Sequence, residues 1–227
     1  MTRHHLCILT LQDRLFLAPV ENPKRILDLG TGTGIWAIDA ADKFESAEVL
    51  GVDLSPVGPG SMPANVRFEI DDVCSPWVYP EEHFDFIHIR GLLGSVADWP
   101  DLYRQAYKHM APGAYIEQLE WSPHIRSING TLSSDSVLRR WTDNMIEIGV
   151  RTGKTWEIAE NMAGLMGEAG FVDIVEKRFK WPVGPWSSDE RMKDIGRWNL
   201  LNWEEGMEGW ALASHTRVLK VCSRHGP

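Results

Sequence analysis

The feature that most constrains this chain is a glycine-rich turn between a short apolar run and a helix-forming stretch. Residues 25–29 carry the apolar pattern of a strand buried on both faces of a parallel sheet. Three glycines follow at alternate positions, and residues 35–41 predict a helix. Strand, glycine turn and helix together are typical of the opening of a nucleotide-type α/β fold, because glycine lets the backbone approach a ligand closely. The glycines are Gly30, Gly32 and Gly34.

The spacing of the turn favours one ligand class over another. A dinucleotide-binding turn has glycine at its first, third and sixth positions, and the sixth position counted from Gly30 is Ile35. The pattern Asp-x-Gly-x-Gly-x-Gly from Asp28 instead resembles motif I of class I S-adenosylmethionine (AdoMet) methyltransferases. In that interpretation the Asp28 carboxylate faces the ammonium group of AdoMet. A nicotinamide oxidoreductase would also need a Tyr-x-x-x-Lys pair, and the nearest string, 103–108, lacks that spacing.

Carboxylates follow the next two predicted strands at positions that suit the same ligand. Asp53 ends an apolar run about 20 residues after the glycine turn, where a group that binds two ribose hydroxyls belongs. Its alternative role is to cap the turn that follows. After a third strand, Asp72 is expected to accept a hydrogen bond from the adenine amino group, and Val73 to offer its backbone amide. Asp71 is the second candidate for the adenine contact, or a turn cap.

Composition excludes several functions. A net charge of −9 argues against sequence-independent nucleic-acid binding, which rests on Lys and Arg contacts to phosphates. No apolar run approaches the roughly 20 residues of a membrane span. The three cysteines lie far apart and form no metal-binding spacing, so we expect no metal and an intracellular protein, in the cytoplasm or the nucleus. They are Cys7, Cys74 and Cys222.

The order of the elements predicts an α/β fold with a doubly wound, mostly parallel sheet. Further strands are predicted at 66–70, 84–89 and 114–119, and a helix after its cap Asp98. We divide the chain into an N-terminal helical segment (1–24), an AdoMet-binding α/β core (25–121) and a helical and C-terminal part of the same domain (122–227). The N-terminal helix is expected to extend to about Leu17.

The second half is predicted to be largely helical. Apolar spacing indicates a helix from Val137 that ends at Gly149, and a second from Ile158 that ends at Gly170. Residues 171–175 predict a sixth strand. The tryptophan-rich stretch 189–213 predicts a helix whose apolar stripe is either core or a lid over the substrate.

No spacing identifies a catalytic residue. Methyl transfer from a sulfonium is an in-line displacement, so a base is needed only when the acceptor loses a proton. The candidates at strand ends are His88, Glu117 and Glu120, and Arg90 could hold an anionic acceptor. For His88 we favour a structural role against a helix, and for Arg90 an ion pair with a neighbouring carboxylate.

Four blocks of sequence together carry a family resemblance: 26–38, 68–72, 84–88 and Gly-Arg-Trp-Asn-Leu-Leu at 196–201. The chain resembles the fungal class I methyltransferases of the LaeA type, related to regulators of secondary metabolism. The resemblance implies the class I methyltransferase (Rossmann-like) fold, AdoMet as cofactor, and methyl transfer or gene-cluster regulation. The cofactor-binding set is then Asp28, Gly30, Thr31, Gly32, Gly34, Asp53, Leu54, Asp71, Asp72, Val73 and Arg90.

The expected function is methyl transfer from AdoMet to a small-molecule or protein acceptor. The alternative is a non-catalytic AdoMet-binding module that acts through regulatory protein partners. Members of the family end in a strand that inserts antiparallel beside strand five, whereas residues 220–227 are polar and do not alternate. We therefore expect that last strand to be missing, which would leave an open sheet edge and a less enclosed acceptor pocket, and so reduced activity of this short chain.

Overall fold

A computed structural model describes residues 1–57 and 62–220. Within these residues lie five strands and six helices. The strands are β1 (Arg25–Leu29), β2 (Glu48–Asp53), β3 (Val66–Ile70), β4 (Phe84–Arg90) and β5 (Met110–Leu119). The helices are α1 (Thr2–Thr10), α2 (Ile35–Lys43), α3 (Trp99–His109), α4 (Val137–Thr152), α5 (Ile158–Ala169) and α6 (Glu190–Arg217).

The five strands form one parallel sheet in the order β3-β2-β1-β4-β5. In its central register, Asp28 of β1 lies between Gly51 of β2 and His88 of β4. The carboxyl ends of all five strands therefore meet at one edge, where ligands bind in open α/β sheets. The predicted α/β fold class is confirmed.

Neighbouring residues of one strand pack on opposite faces of the sheet, as a period of two requires. Leu27 and Ile87 face a core closed by α3 and α5, whereas Ile26 and Phe86 face a core closed by α2. All four side chains have no exposed surface. This double burial explains why the strands read as near-continuous apolar runs in the sequence.

Helix caps follow the sequence signals, with one exception. Asp98 caps α3 by accepting a hydrogen bond from the Asp101 amide at 2.8 Å, as predicted, and Gly170 ends α5. The predicted end of α4 at Gly149 is wrong, since the helix continues to Thr152 and Gly153 ends it with φ +68°. Glycine weakens a helix interior by about 1 kcal/mol without stopping it.

The predicted N-terminal helix is also too long. Helix α1 ends at Thr10, and Gln12 and Asp13 adopt left-handed backbone angles of φ 59° and 60°. The chain then leaves the helix axis, so that Phe16 packs between the rings of Phe44 and Phe86, 5.9 and 5.1 Å away. Burial of one aromatic side chain offsets the loss of a last helical turn.

The predicted sixth strand at 171–175 does not form. Asp173 interrupts the run with φ +53°, and the side chains of Val172 and Val175 are 81% and 77% exposed. Among the described residues the sheet ends at β5, whose outer edge has no strand partner. An apolar run without an adjacent strand has no ladder to join, and it remains irregular.

Helix α6 contains the tryptophan-rich stretch and packs mainly on α1, with a smaller contact to α4. The Trp198 ring contacts His5 of α1 at 4.3 Å, and Trp203 lies 5.0 Å from Trp141 of α4. The stripe is thus a half-buried interface between helices.

Among residues 1–57 and 62–220, no helix is long and apolar enough to cross a membrane. Residues 221–227 lie outside the described residues. They include Cys222 and nearly all of the segment for which we predicted that the final strand is missing.

Candidate functional site

The glycine turn lies at the carboxyl edge of the sheet, and its three glycines serve different purposes. Gly30, Gly32 and Gly34 all have positive φ, at 68°, 60° and 77°. A Cβ at Gly30 would lie 2.3 Å from Leu92, and one at Gly34 would lie 2.6 Å from Phe68. A Cβ at Gly32 would meet nothing within 4 Å. Two glycines therefore allow close packing, and Gly32 faces open space where a ligand can approach the backbone.

A network of hydrogen bonds holds this turn in place. The Thr31 amide donates to the carbonyl of Val52 at 2.9 Å, and the Thr31 hydroxyl donates to Asp28 Oδ2 at 2.6 Å. The Gly32 amide donates to Asp53 Oδ2 at 2.8 Å. The ends of β1 and β2 are therefore connected through the turn itself.

Asp28 belongs to the core beneath the turn. Its side chain is 3% exposed, and its second oxygen accepts from His88 Nδ1 at 2.7 Å. Because each carboxylate oxygen has a donor, from Thr31 or His88, and the side chain is almost completely buried, this structure places Asp28 as a support for the turn, out of reach of a ligand. The predicted contact with the AdoMet ammonium group would require that arrangement to change.

His88 takes the structural role that the sequence favoured. Its ring stacks on Trp36 of α2, with centroids 3.6 Å apart and planes 3° from parallel. Burial lowers the pKa of His88, so the ring is neutral at physiological pH and donates its Nδ1 proton to Asp28. With 2% of its side chain exposed, His88 does not face the solvent in this structure.

Asp53 has capacity left for a ligand. Its Oδ1 accepts from the Ser55 amide at 2.9 Å, and its Oδ2 accepts from Gly32. A carboxylate offers about four lone-pair sites, so the half-buried Asp53 can accept two further bonds from vicinal hydroxyls. Leu54 follows it and is 70% exposed at the same edge.

The acidic pair after β3 forms consecutive turns. Asp71 Oδ1 accepts from the Asp72 amide at 2.8 Å, and Asp72 Oδ1 accepts from the Cys74 amide at 2.9 Å. A cavity of about 10 Å³, enough for one water molecule, lies beside them. Its lining consists of Leu29, Val52, Asp71, Asp72, Val73, Trp77 and Tyr79. The predicted adenine contacts thus meet at one place, which must widen to admit a ring.

A second cavity, of about 300 Å³, lies at the other end of the strands, between Pro19–Pro23, Asp85 and the turn at Pro112. It is larger, but it is remote from the glycine turn. Asp85 uses one oxygen to accept from the amides of Lys24 and Arg25 at 2.7 and 2.8 Å. These bonds fix the start of β1.

The remaining candidate catalytic residues have different surroundings. Glu117 accepts from the amides of Leu17 and Ala18 at 2.7 and 2.6 Å, which anchors the segment before β1. Arg90 lies 3.2 Å from His4 Nδ1 rather than in the expected ion pair, since no carboxylate among the described residues lies within 4 Å of it. Glu117 and Arg90 therefore bind the N-terminal segment.

Glu120 is the candidate whose pKa is raised. It follows β5 and accepts from the Leu92 amide at 2.9 Å and from Gln118 Nε2 at 3.2 Å. Burial raises the pKa of Glu120 to about 7, although these donors favour the ionised form. A carboxyl group with that pKa can accept a proton near neutral pH.

Sequence reasoning missed the N-terminal helix as part of this edge. Arg3 and His4 of α1 reach Trp121, Arg90 and Asp39, and His4 Nε2 lies 2.9 Å from Asp39 Oδ2. The one local signal in the sequence is the cluster of polar residues His4, His5 and Cys7 in this helix, and it does not indicate which residues the helix contacts. Contacts between Arg3 and Trp121 span more than 100 residues, beyond the range of any local pattern.

Comparison with known proteins places this geometry in a family. The family described as "Methyltransferase domain" matches residues 2–176. This chain belongs to that methyltransferase family. The predicted methyltransferase activity and AdoMet as the methyl donor are confirmed at the level of the family.

The methyltransferase has curated fungal relatives along most of its length. It is 44% identical to "Methyltransferase pytC" of Aspergillus terreus over 95% of this chain and 67% of that protein. It is 40% identical to "Secondary metabolism regulator LAE1" of Cochliobolus heterostrophus, over 95% of this chain and 72% of the relative. "Protein-methionine methyltransferase laeA" of Emericella nidulans is 37% identical, and there the match spans 56% of the relative. The predicted resemblance to LaeA-type proteins is confirmed.

Solved structures support the fold of the methyltransferase. Phosphoethanolamine N-methyltransferase 2 of Haemonchus contortus, in complex with S-adenosyl-L-methionine, aligns with a TM-score of 0.56 at 20% identity. The alignment covers 96% of this chain and 47% of that one. At this identity the likeness concerns the class I fold alone.

Proposed function

We propose that this chain holds AdoMet along the carboxyl edge of β1, β2 and β3 and transfers its methyl group to an acceptor in fungal secondary metabolism. The observation that carries the proposal is Gly32, whose backbone borders open space in a turn that is otherwise closely packed. The turn amides at the start of α2 suit the carboxylate of AdoMet. Asp53 suits the ribose hydroxyls, and Asp72 with Val73 suits adenine.

The chemistry asks little of the protein beyond alignment. AdoMet carries its own sulfonium leaving group, so the residues of the edge need to hold it in line with the nucleophile and exclude water. The proposal allows two acceptor classes, a protein side chain and a small molecule. One relative is named a protein-methionine methyltransferase, and a thioether acceptor loses no proton. A small-molecule hydroxyl or amine acceptor would need a base, for which Glu120 is the group with the suitable pKa.

Calorimetric titration of AdoMet into matched variants tests the cofactor assignment. Asp53→Ala should weaken AdoMet binding by about 1–3 kcal/mol, because two hydrogen bonds to a charged acceptor are lost. Asp42→Ala, at an exposed position on α2, is the control and should bind as the parent does. Unchanged affinity in folded Asp53→Ala would remove Asp53 from the site.

Gly32→Ala separates ligand approach from packing. We expect at least a tenfold loss of AdoMet affinity, while the free energy of unfolding falls by only about 1 kcal/mol from the left-handed backbone. The small structural cost follows from the open space around a Cβ at this position. Tight AdoMet binding by this variant would contradict the glycine-turn assignment.

A regulatory module is the second candidate function, because several relatives are named regulators of secondary metabolism. Such a module would bind AdoMet and act through protein partners without turnover. Release of S-adenosylhomocysteine in a fungal extract above the level seen with Gly32→Ala separates the two, since methyltransferases of the extract contribute equally to both samples. With its net charge of −9, we propose that the chain acts without direct nucleic-acid contact, in the cytoplasm or nucleus.

A further inference from the structure

The guanidinium group of Arg3 lies between two tryptophan rings. Its Cζ is 4.3 Å from the ring centroid of Trp121 and 4.6 Å from that of Trp210. Both distances are within the roughly 6 Å at which a ring face attracts a cation. Arg3 Nε also donates to Asn202 Oδ1 of α6 at 3.4 Å. A cation from α1 thus fills a slot whose walls come from the segment after β5 and from α6.

This slot lies at the edge of the sheet where the proposed cofactor site lies. Trp121 comes two residues after the end of β5, and a Cβ at Gly91, the residue after β4, would lie 2.8 Å from its ring. The next residue, Leu92, packs directly on Gly30 of the glycine turn. The tryptophan slot and the glycine turn are therefore two ends of one connected surface.

The groups around Arg3 indicate which kind of ligand the slot would bind. Burial lowers the pKa of Arg3, and the neighbouring Arg90 lowers it further. No carboxylate among the described residues lies within 4 Å of the Arg3 guanidinium; the two ring faces contact it, and the more distant Cys7 and Glu120 favour its charged form. Electron-rich ring faces are the surfaces that recognise ammonium and guanidinium groups, and a carboxyl group in the neighbourhood, here Glu120, favours the same charge.

Arg3 is also well placed to leave. Within the described residues, this first-turn residue of α1 is held by two ring faces and one long hydrogen bond, without an ion pair. Withdrawal of this turn would expose both rings and Glu120 at once.

We propose that Trp121, Trp210 and Glu120 form a pocket for the ammonium or guanidinium group of the methyl acceptor, and that Arg3 occupies it in this structure. The inference rests on the proposed function and narrows its acceptor to a cation-bearing molecule. The first turn of α1 is then a built-in competitor of that acceptor.

The test is calorimetric titration with methylguanidinium chloride in the presence of saturating S-adenosylhomocysteine. Arg3→Ala should bind methylguanidinium at least tenfold more tightly than the parent, because the internal competitor is gone. Arg3→Lys keeps a cation in the pocket and should bind as weakly as the parent. Arg67→Ala removes an exposed arginine of β3 and is the control for a change in net charge.

The double variant with Trp210→Leu should lose the gain, since one ring face is removed. Equal affinity of the parent and Arg3→Ala would overturn the proposal. So would benzoate binding that disappears in Arg3→Ala, because Arg3 would then hold an anionic acceptor. A prior titration of each variant with AdoMet keeps the two proposals separate. If AdoMet binds as in the parent but Arg3→Ala shows no gain in methylguanidinium affinity, only the pocket proposal is overturned.

A measurement on the parent covers the case in which Arg3→Ala does not fold. Exchange of the His5 amide, which donates to the carbonyl of Met1 across the first turn of α1, should accelerate with methylguanidinium and stay unchanged with the same concentration of urea. Equal exchange in both solutions would also overturn the proposal.

Discussion

The glycine turn and the tryptophan slot, at the two ends of the carboxyl edge of the sheet, are built in opposite ways. At the glycine turn, the groups that meet come from two consecutive strand ends, with Gly32 and Asp53 only 21 positions apart. At the tryptophan slot, Arg3, Trp121 and Trp210 come from the start, middle and end of the chain. The first end is fixed by local backbone geometry, and the second depends on how separate helices pack. We therefore expect substitutions at the two ends to differ in what they disturb.

The largest effect is expected beneath the glycine turn. Asp28→Ala leaves the buried His88 ring and the Thr31 hydroxyl without their acceptor, so the free energy of unfolding should fall by about 3 kcal/mol. Urea denaturation measures it, and Asp28→Asn, which keeps an acceptor oxygen, should lose less. A fall below about 1 kcal/mol for Asp28→Ala would mean that the turn does not depend on this network.

What the sequence predicts correctly follows the same division between local geometry and contacts between distant residues. The alternating glycines, the strand limits of β3 and the cap Asp98 were readable because each depends on residues a few positions apart. The roles of Asp28 and Glu117 were not, because each carboxylate takes partners that only the folded sheet brings near. The missing strand at 171–175 shows the same limit, since an apolar run becomes a strand only beside another strand.

A smaller effect, dependent on pH, is expected at the other end of the edge. The pKa of Glu120 is raised from 4.5 to about 7, so the unfolded chain loses this proton first as pH rises. The free energy of unfolding should therefore fall between pH 4.5 and 7 and level off above it. After allowance for solvent screening of this half-buried group, the fall is about 1–3 kcal/mol.

Glu120→Gln removes that titration and sharpens the comparison. Chemical denaturation of the parent and the variant at pH 5 and pH 7.5 should show the variant gaining stability relative to the parent at the higher pH. A constant difference between the two proteins would mean that Glu120 ionises at its ordinary pKa.

The smallest effect is expected at Val172. Its side chain is 81% exposed and joins no sheet, so Val172→Ser should change the free energy of unfolding by less than about 0.5 kcal/mol. Ile87→Ser on the fully buried part of β4 is the matched contrast and should be severely destabilising. A loss above 1 kcal/mol at Val172 would show that residues 171–175 pair with another segment in solution.

The parallel stack of Trp36 on His88 gives the protein an optical reporter. Trp36 is 1% exposed and lies directly under the glycine turn, so its fluorescence should be shifted to the blue relative to the half-exposed tryptophans of α6. The indole also donates to the carbonyl of Leu15, which holds the ring in one orientation. A chain with Trp36 retained and its other tryptophans replaced, including the buried Trp99, would report by emission wavelength when the layer beneath the glycine turn takes up water.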